Sequence, residues 1–226
     1  DLERIISALT FSPDGGIAIK PKGIIAIEHF LILRNIMYRS IYNHRINEIC
    51  NWILDKIFTK IRTELNGNLW IDDCLHNWIF EPQKLNFNDF LSNDDIRLYY
   101  HLYKWKDEAP KPISTLCEMF MNRNLLKASS INSLSNINKL KILAFARKKS
   151  SENNYDPSLF CGIKERKFNG FESNNSLKVW DGNYLKELDK ESPLIKILIQ
   201  NQESSLIFYP ACIKEEITKE ILNLQT

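Results

Sequence analysis

Glycine is scarce in this chain: 7 among 226 residues, beside 8 prolines, 5 cysteines and 4 histidines. No G-x-x-x-x-G-K-[ST] loop, G-x-G-x-x-G fingerprint or G-x-S-x-G elbow is present, which removes P-loop, dinucleotide-fold and α/β-hydrolase chemistry. The cysteines Cys50, Cys74, Cys117, Cys161 and Cys212 are odd in number and scattered without a C-x-x-C pair. They read as reduced, mostly buried thiols, and neither a disulfide framework nor a zinc knuckle is expected. His29, His44, His76 and His101 are followed by Phe, Arg, Asn and Leu, so there is no H-E-x-x-H pair and no His-Asp dipeptide. No metal ligands are expected in the chain.

A charge excess is also missing. Lys plus Arg number 30 against 28 Asp plus Glu, a formal +2, which weighs against nucleic acid as the partner. The densest apolar run, Gly23 to Phe30, contains Glu28 and falls well short of the roughly 20 residues a membrane span needs. With no signal or transit segment, a soluble cytoplasmic protein is expected. The chain starts with Asp1 and reaches Ile5 and Ile6 almost at once, so we expect it to be the later part of something longer.

What is present suits an ordinary globular fold. Hydrophobic residues make up 44% and charged residues 26%, and the length fits one generous domain or a main domain with a small companion. Helical spacing opens the chain at Leu2, Ile5, Ile6 and Leu9. A turn at Pro13 to Gly16 then leads to a strand over Ile17–Ile19. From Ile24 nothing breaks a helix until Asn66-Gly67, which predicts one long helix over about 24–65 as the spine. Further helices are expected over Leu69–Phe80, from a Ser92 cap through Tyr103, and over Ile113–Lys127. A Ser- and Asn-rich linker at 129–138 precedes a helix over Lys139–Lys149. Strands follow at Leu159–Ile163, Leu177–Trp180 and Leu206–Tyr209, with helices at Leu194–Ile199 and Ile213–Leu224. The fold class is therefore mainly α: a helical body over 1–128 built around one long helix, with a small α+β module over 129–226.

The informative stretch is Glu28 to Arg45. At about 100° per residue, Arg34, Tyr38, Tyr42 and Arg45 share an arc of roughly 80° on an ideal helix, a stripe of guanidinium and phenol groups suited to phosphate and sugar. The same face serves equally well as solvated surface with snorkelling arginines. His44 falls about 160° from Tyr42. The pairs Asp72-Asp73 and Asp94-Asp95 read as helix-start carboxylates, and His76 and His101 as structural.

That stretch resembles a signature of the deoxynucleoside triphosphate triphosphohydrolases of the HD superfamily. The pattern E-x-x-x-x-x-R-N-x-M-Y-x-x-x-Y-x-H is matched by Glu28, Arg34, Asn35, Met37, Tyr38, Tyr42 and His44. Arg123-Asn-Leu-Leu-Lys127 is similar to a second motif, R-x-L-[FY]-K. Softer matches lie at Leu91-Ser-Asn-Asp-Asp95 and, in the tail, at Ser192-Pro-Leu-Ile195 and Phe208-Tyr-Pro210. The resemblance implies hydrolysis of a dNTP to deoxynucleoside and triphosphate, at a divalent metal (Mg, Mn, Zn or Fe) held by His, His-Asp and a later Asp. Those ligands belong upstream of the matched part, so the chain is expected to carry no catalytic residue and to be inactive without that HD half. The resemblance gives Arg34 to substrate phosphates and Tyr42 to the deoxyribose, with Tyr38 nearby. It gives Arg4, Lys20, Lys22, His44, Arg45, Arg123 and Lys127 to effector sites for an activating nucleotide between subunits of a dimer or tetramer. The alternative is a non-catalytic nucleotide-binding module that keeps these contacts for regulation or assembly.

Overall fold

The structure, a computed structural model, describes residues 2–64, 69–168, 177–198 and 202–225. Helix α1 (Leu2–Ala8) runs into a hairpin of β1 (Leu9–Phe11) and β2 (Ile17–Ile19). Its turn is closed by the Ser12 amide donating to the Gly16 carbonyl at 2.8 Å, with Gly15 at φ 80, a conformation that favours glycine. A 3-10 turn over Pro21–Gly23 feeds α2 (Ile24–Met37), a π turn covers Tyr38–Tyr42, and α3 spans Arg45–Glu64.

The single helix expected over 24–65 is thus two helices parted at Asn43-His44. Asn43 leaves helical geometry at φ −97, ψ 15, and its amide closes the π turn on the Tyr38 carbonyl at 2.8 Å. Asn and His are weak helix formers, and the Asn43 side-chain oxygen accepts a hydrogen bond from the Arg166 guanidinium instead.

Beyond this, α4 (Asp73–Phe80), α5 (Phe87–Ser92) and α6 (Asp95–Glu108) each begin at a side-chain cap: Asp72 to the Leu75 amide, Asn86 to Asp89, Asp94 to Arg97. The cap of α6 is therefore Asp94, and Ser92 closes α5. Helix α7 (Ile113–Met121) stops short of the expected end, because Arg123 adopts φ 55 and the chain turns into β3 (Lys127–Ser130). Part of the expected linker is thus a strand, and α8 (Asn136–Glu152) starts behind a Ser135 cap. A helical turn α9 (Pro157–Phe160) occupies the front of the expected strand, whose place is taken by β4 (Gly162–Phe168). The remainder is β5 (Lys178–Trp180), β6 (Leu185–Glu187), α10 (Leu188–Glu191), α11 (Pro193–Leu198), β7 (Gln202–Tyr209) and α12 (Lys214–Asn223). Asn66-Gly67 and Ile199 lie outside the described residues.

Two compact units result: residues 1–44 with 165–205, and 45–164 with 206–226. The 128/129 boundary drawn from composition falls inside the second. In the first unit β1-β2-β5-β6 form a sheet in which β2 and β5 run parallel, Ile19 opposite Val179. Ile19, Ile27, Leu31, Val179, Leu188 and Ile195 make its core.

In the second unit α3 repeats isoleucine every four residues at 49, 53, 57 and 61, all buried against Leu102, Trp105 and Leu116. Burial of each such side chain stabilises by about 1.5–3 kcal/mol. A second cluster joins Ile131, Ile142, Ile207, Tyr209, Ile213 and Ile217. The sheet β3-β7-β4 pairs Lys127 with Tyr209 and Ser130 with Leu206, antiparallel. The fold is mainly helical, with small sheets. Among the described residues no helix is long and apolar enough to cross a membrane.

Candidate functional site

The first unit carries a stack of three side chains. The Arg34 guanidinium lies 4.8 Å from the Tyr38 ring centroid, and the Tyr38 and Tyr42 rings are 5.0 Å apart at 46°. Arg34 and Tyr38 are half-buried, while Tyr42 is 53% exposed and offers its ring to a visitor. The π turn holds both tyrosines on one side of the chain; such turns recur at functional sites. The cation–π contact orients the guanidinium, leaving a planar fork beside two phenols. Such a stack can take an anion at one end and pack a sugar or base against the other. Arg45, expected in the same stripe, instead opens α3 and belongs to the second unit.

The residues behind the stack are well anchored. Glu28 of the motif accepts a hydrogen bond from the buried Ser192 hydroxyl, and Ser192 in turn caps α11 through the Ile195 amide at 3.1 Å. Two segments far apart in sequence, both quoted above for their motifs, are thereby joined. Asn35, the motif position beside Arg34, is buried, and its side-chain oxygen has no hydrogen-bond partner among the described residues. Arg4 is exposed on α1, and the Lys20 ammonium donates to the Ser7 carbonyl of that helix at 3.0 Å. Lys22 is exposed in the 3-10 turn, and His44 is exposed at the end of the unit.

The second unit gathers three cations near the start of α3. Arg45 is its first residue and acts electrostatically on the Tyr209 hydroxyl, which also shares a 2.6 Å hydrogen bond with Ser129. Burial outweighs both and pushes the phenol above its ordinary range. Lys127 sits opposite Tyr209 in the β3–β7 ladder. Arg123 acts on Cys50, one turn and a half along α3 from Arg45; burial still raises that thiol. Arg123 and Lys127 do not share a helix, as their spacing suggested: one holds a left-handed turn and the other starts a strand. The N-terminal dipole of α3 adds to the positive field there.

Elsewhere in this unit Glu48, buried, has the Lys164 ammonium 2.9 Å away. His101 is buried between Trp70, stacked at 4.9 Å, and Asp72. Its Nδ1 donates to the Arg97 carbonyl at 2.8 Å, and Nε2 accepts from the Asp72 amide at 3.2 Å. A cleft of about 360 Å³ is lined by Phe58, Arg62, Trp78, Asp95 and Leu98. Among the described residues no group of three or more His, Cys, Asp or Glu side chains could hold a metal ion, so a divalent metal has no fit there.

Residues 1–68 match a family model described as the HD associated region. Over 133 residues, 58% of the chain, the sequence is 29% identical to the uncharacterized protein YwfO of Bacillus subtilis (strain 168), covering 30% of that protein. A phosphohydrolase from Bacteroides thetaiotaomicron VPI-5482 has a similar fold, with a TM-score of 0.69 and 21% identity over 91% of this chain and 55% of its own. A hypothetical protein from Aquifex aeolicus gives a TM-score of 0.68 at 20% identity, over 98% of this chain and 51% of its own. The chain thus spans about half the length of these solved structures, and the stretch matched in YwfO less than a third of that protein. The likeness to the two structures is one of fold. The family match supports a relation to HD-type proteins and carries no substrate with it.

Proposed function

We propose that this chain is part of an HD-type phosphohydrolase that cleaves dNTPs to deoxynucleoside and triphosphate. The observation that carries the reading is the Arg34–Tyr38–Tyr42 stack, set within the segment that matches the HD associated region. Arg34 would grip the phosphates, Tyr42 would pack on the deoxyribose and exclude a 2′-hydroxyl, and Tyr38 would hold the two in line. A divalent metal, held by residues upstream of this part, would supply the activated water. The cations Arg45, Arg123 and Lys127 of the second unit, and Arg4, Lys20, Lys22 and His44 of the first, would take an activating nucleotide in a dimer or tetramer.

The test is triphosphate release with Mn²⁺ or Mg²⁺ by a protein that carries this chain together with its upstream neighbour. Turnover there, none by the 226-residue chain alone, and loss on Arg34→Ala are the expected results. Release of triphosphate by the chain alone overturns the division of labour. The alternative is a non-catalytic nucleotide-binding module that keeps the same Arg34–Tyr38–Tyr42 contacts without the chemistry. Nucleotide binding that survives in the longer protein without turnover selects it.

A further inference from the structure

The cleft between α3, α4 and the start of α6 lies within the second unit, and none of the residues lining it carries a nucleotide role. At about 360 Å³ it stands at the lower end of the roughly 300–1,000 Å³ typical of small-molecule sites. Its walls are apolar and held in place. Leu75 is buried, and Phe58 is half-buried and set edge-on to Trp105 with centroids 6.4 Å apart. Trp78 is stacked on Phe90 at 5.8 Å and 23°, and Leu98 adds an aliphatic surface. Two charges of opposite sign stand at these walls. The Arg62 Nε donates to the Ile79 carbonyl at 3.1 Å, which fixes the guanidinium plane and leaves its two terminal amino groups as a fork. The Asp94 carboxylate is engaged as the cap of α6, accepting from the Arg97 amide at 2.9 Å. Asp95 lines the cleft beside it. Among the described residues, Arg62 and Asp95 are ion-paired neither with each other nor with a third group.

We propose that this cleft binds a free α-amino acid with a large apolar side chain, of which phenylalanine is the type. The ligand carboxylate meets the Arg62 fork, its ammonium meets Asp95, and its side chain lies among Phe58, Trp78 and Leu98. The charge pattern argues against the other classes. A phosphate-bearing ligand would bring its negative charge to Asp94 and Asp95, two carboxylates against one guanidinium. An apolar amine would set a second cation beside Arg62 and give that guanidinium no anion. An apolar acid would do the converse to Asp95. Charges taken out of water in this way cost free energy unless each is paired. A ligand with both signs beside an apolar body answers every group. The site is independent of the nucleotide reading.

Titration calorimetry with L-phenylalanine tests it. A dissociation constant of about 100 µM is expected, in keeping with a ligand of about a dozen heavy atoms. N-acetyl-phenylalanine lacks the ammonium and phenylalaninamide lacks the carboxylate, and each should bind about tenfold more weakly. Asp95→Asn should weaken phenylalanine about tenfold and leave N-acetyl-phenylalanine unchanged. Arg62→Gln should do the same for phenylalanine and leave phenylalaninamide unchanged, since each variant removes the contact its analogue already lacks. An excess of dATP should not displace phenylalanine. Circular dichroism reports folding; should the Arg62 variant unfold, Asp95→Asn, at an exposed position, decides alone. No binding at about 10 mM phenylalanine, equal affinity for the N-acetyl form, or displacement by dATP overturns the proposal. So does a loss on Asp95→Asn that is the same for phenylalanine and its N-acetyl form.

Discussion

In the second unit Gly162, at the head of β4, lies hard against Trp52 of α3. A Cβ placed on Gly162 would sit 2.0 Å from Cη2 of the indole, 2.4 Å from Cζ2 and 3.0 Å from Cζ3. The indole has no easy retreat. Its Nε1 donates to the Leu159 carbonyl at 3.1 Å, its ring packs against Phe208 at 5.1 Å, and the Lys56 ammonium lies 4.4 Å from its centroid. Gly162→Ala must therefore move either the indole or the strand.

Moving the indole forfeits a hydrogen bond worth about 1 kcal/mol net and an aromatic contact worth about 0.5–1.5. It adds about 0.5–1.5 kcal/mol of rotamer strain. Set against the roughly 0.4–1 kcal/mol that a Gly→Ala change contributes where the backbone tolerates it, the net cost is about 2–3 kcal/mol. Urea unfolding followed by far-UV circular dichroism should show the midpoint falling by about 1–2 M at unchanged slope. The decisive measurement is the same substitution in a Trp52→Leu background. Trp52→Leu costs stability itself, by about 2–4 kcal/mol, but Gly162→Ala should then be neutral or slightly stabilising. An equal penalty in both backgrounds, or less than about 0.5 kcal/mol in the wild type, refutes the steric account.

Arg34→Ala should weaken nucleotide affinity by about 1.5–3 kcal/mol, equally for all four dNTPs, since phosphates carry no base identity. A base-dependent loss in titration calorimetry contradicts the assignment. Arg123→Ala, in contrast, should show a defect that shrinks as activating nucleotide is raised, because mass action refills a weakened site. Burial pushes the Cys117 thiol from 9.0 up to about 12. The folded state then keeps a proton that the unfolded chain releases, so this stability is complete below pH 9 and fades as pH climbs towards 12. Near pH 10 the loss is roughly 1.4 kcal/mol, and Cys117→Ala should flatten that slope in urea titrations. Asp72 caps α4 at 2.8 Å and pairs with Arg97 at 3.2 Å. Asp72→Ala should thus cost about 1–2 kcal/mol, against less than about 0.5 for the neighbouring Asp73→Ala; equal effects in thermal melts would reverse the cap assignment.

Where local chemistry decides, the sequence is readable. The isoleucines of α3 repeat at helical spacing and form the core stripe, and the Asp72-Asp73 pair announces a helix start that the structure bears out. His101, read as structural, is buried and hydrogen-bonded to Arg97 and Asp72. Where a distant partner decides, residues 129–138 mislead. Ser129 and Ser130 suit a linker, yet β7, some eighty residues downstream, recruits them as a strand. The same cause moves Lys127 off the helix it was expected to share with Arg123.

The candidate site divides along the same line. Arg34, Tyr38 and Tyr42 sit within two turns of one another, so the spacing that selects them in sequence also stacks them in space. At the break after Tyr42, Arg166 reaches Asn43 from a strand over a hundred residues away, and no helical wheel contains that contact. It is this break that detaches Arg45 from the stripe and assigns it to the neighbourhood of Tyr209 and Lys127. In the proposed reading, the two roles divide where the helix is interrupted. Local pattern supplies the stack; we expect the long-range hydrogen bond to Asn43 to help end it. An Asn43→Ala change, which removes the acceptor and adds helix propensity, should extend α2 towards α3 and raise the helical signal in circular dichroism. If helicity and nucleotide affinity both stay unchanged, the Arg166 contact is not what separates the two groups of residues.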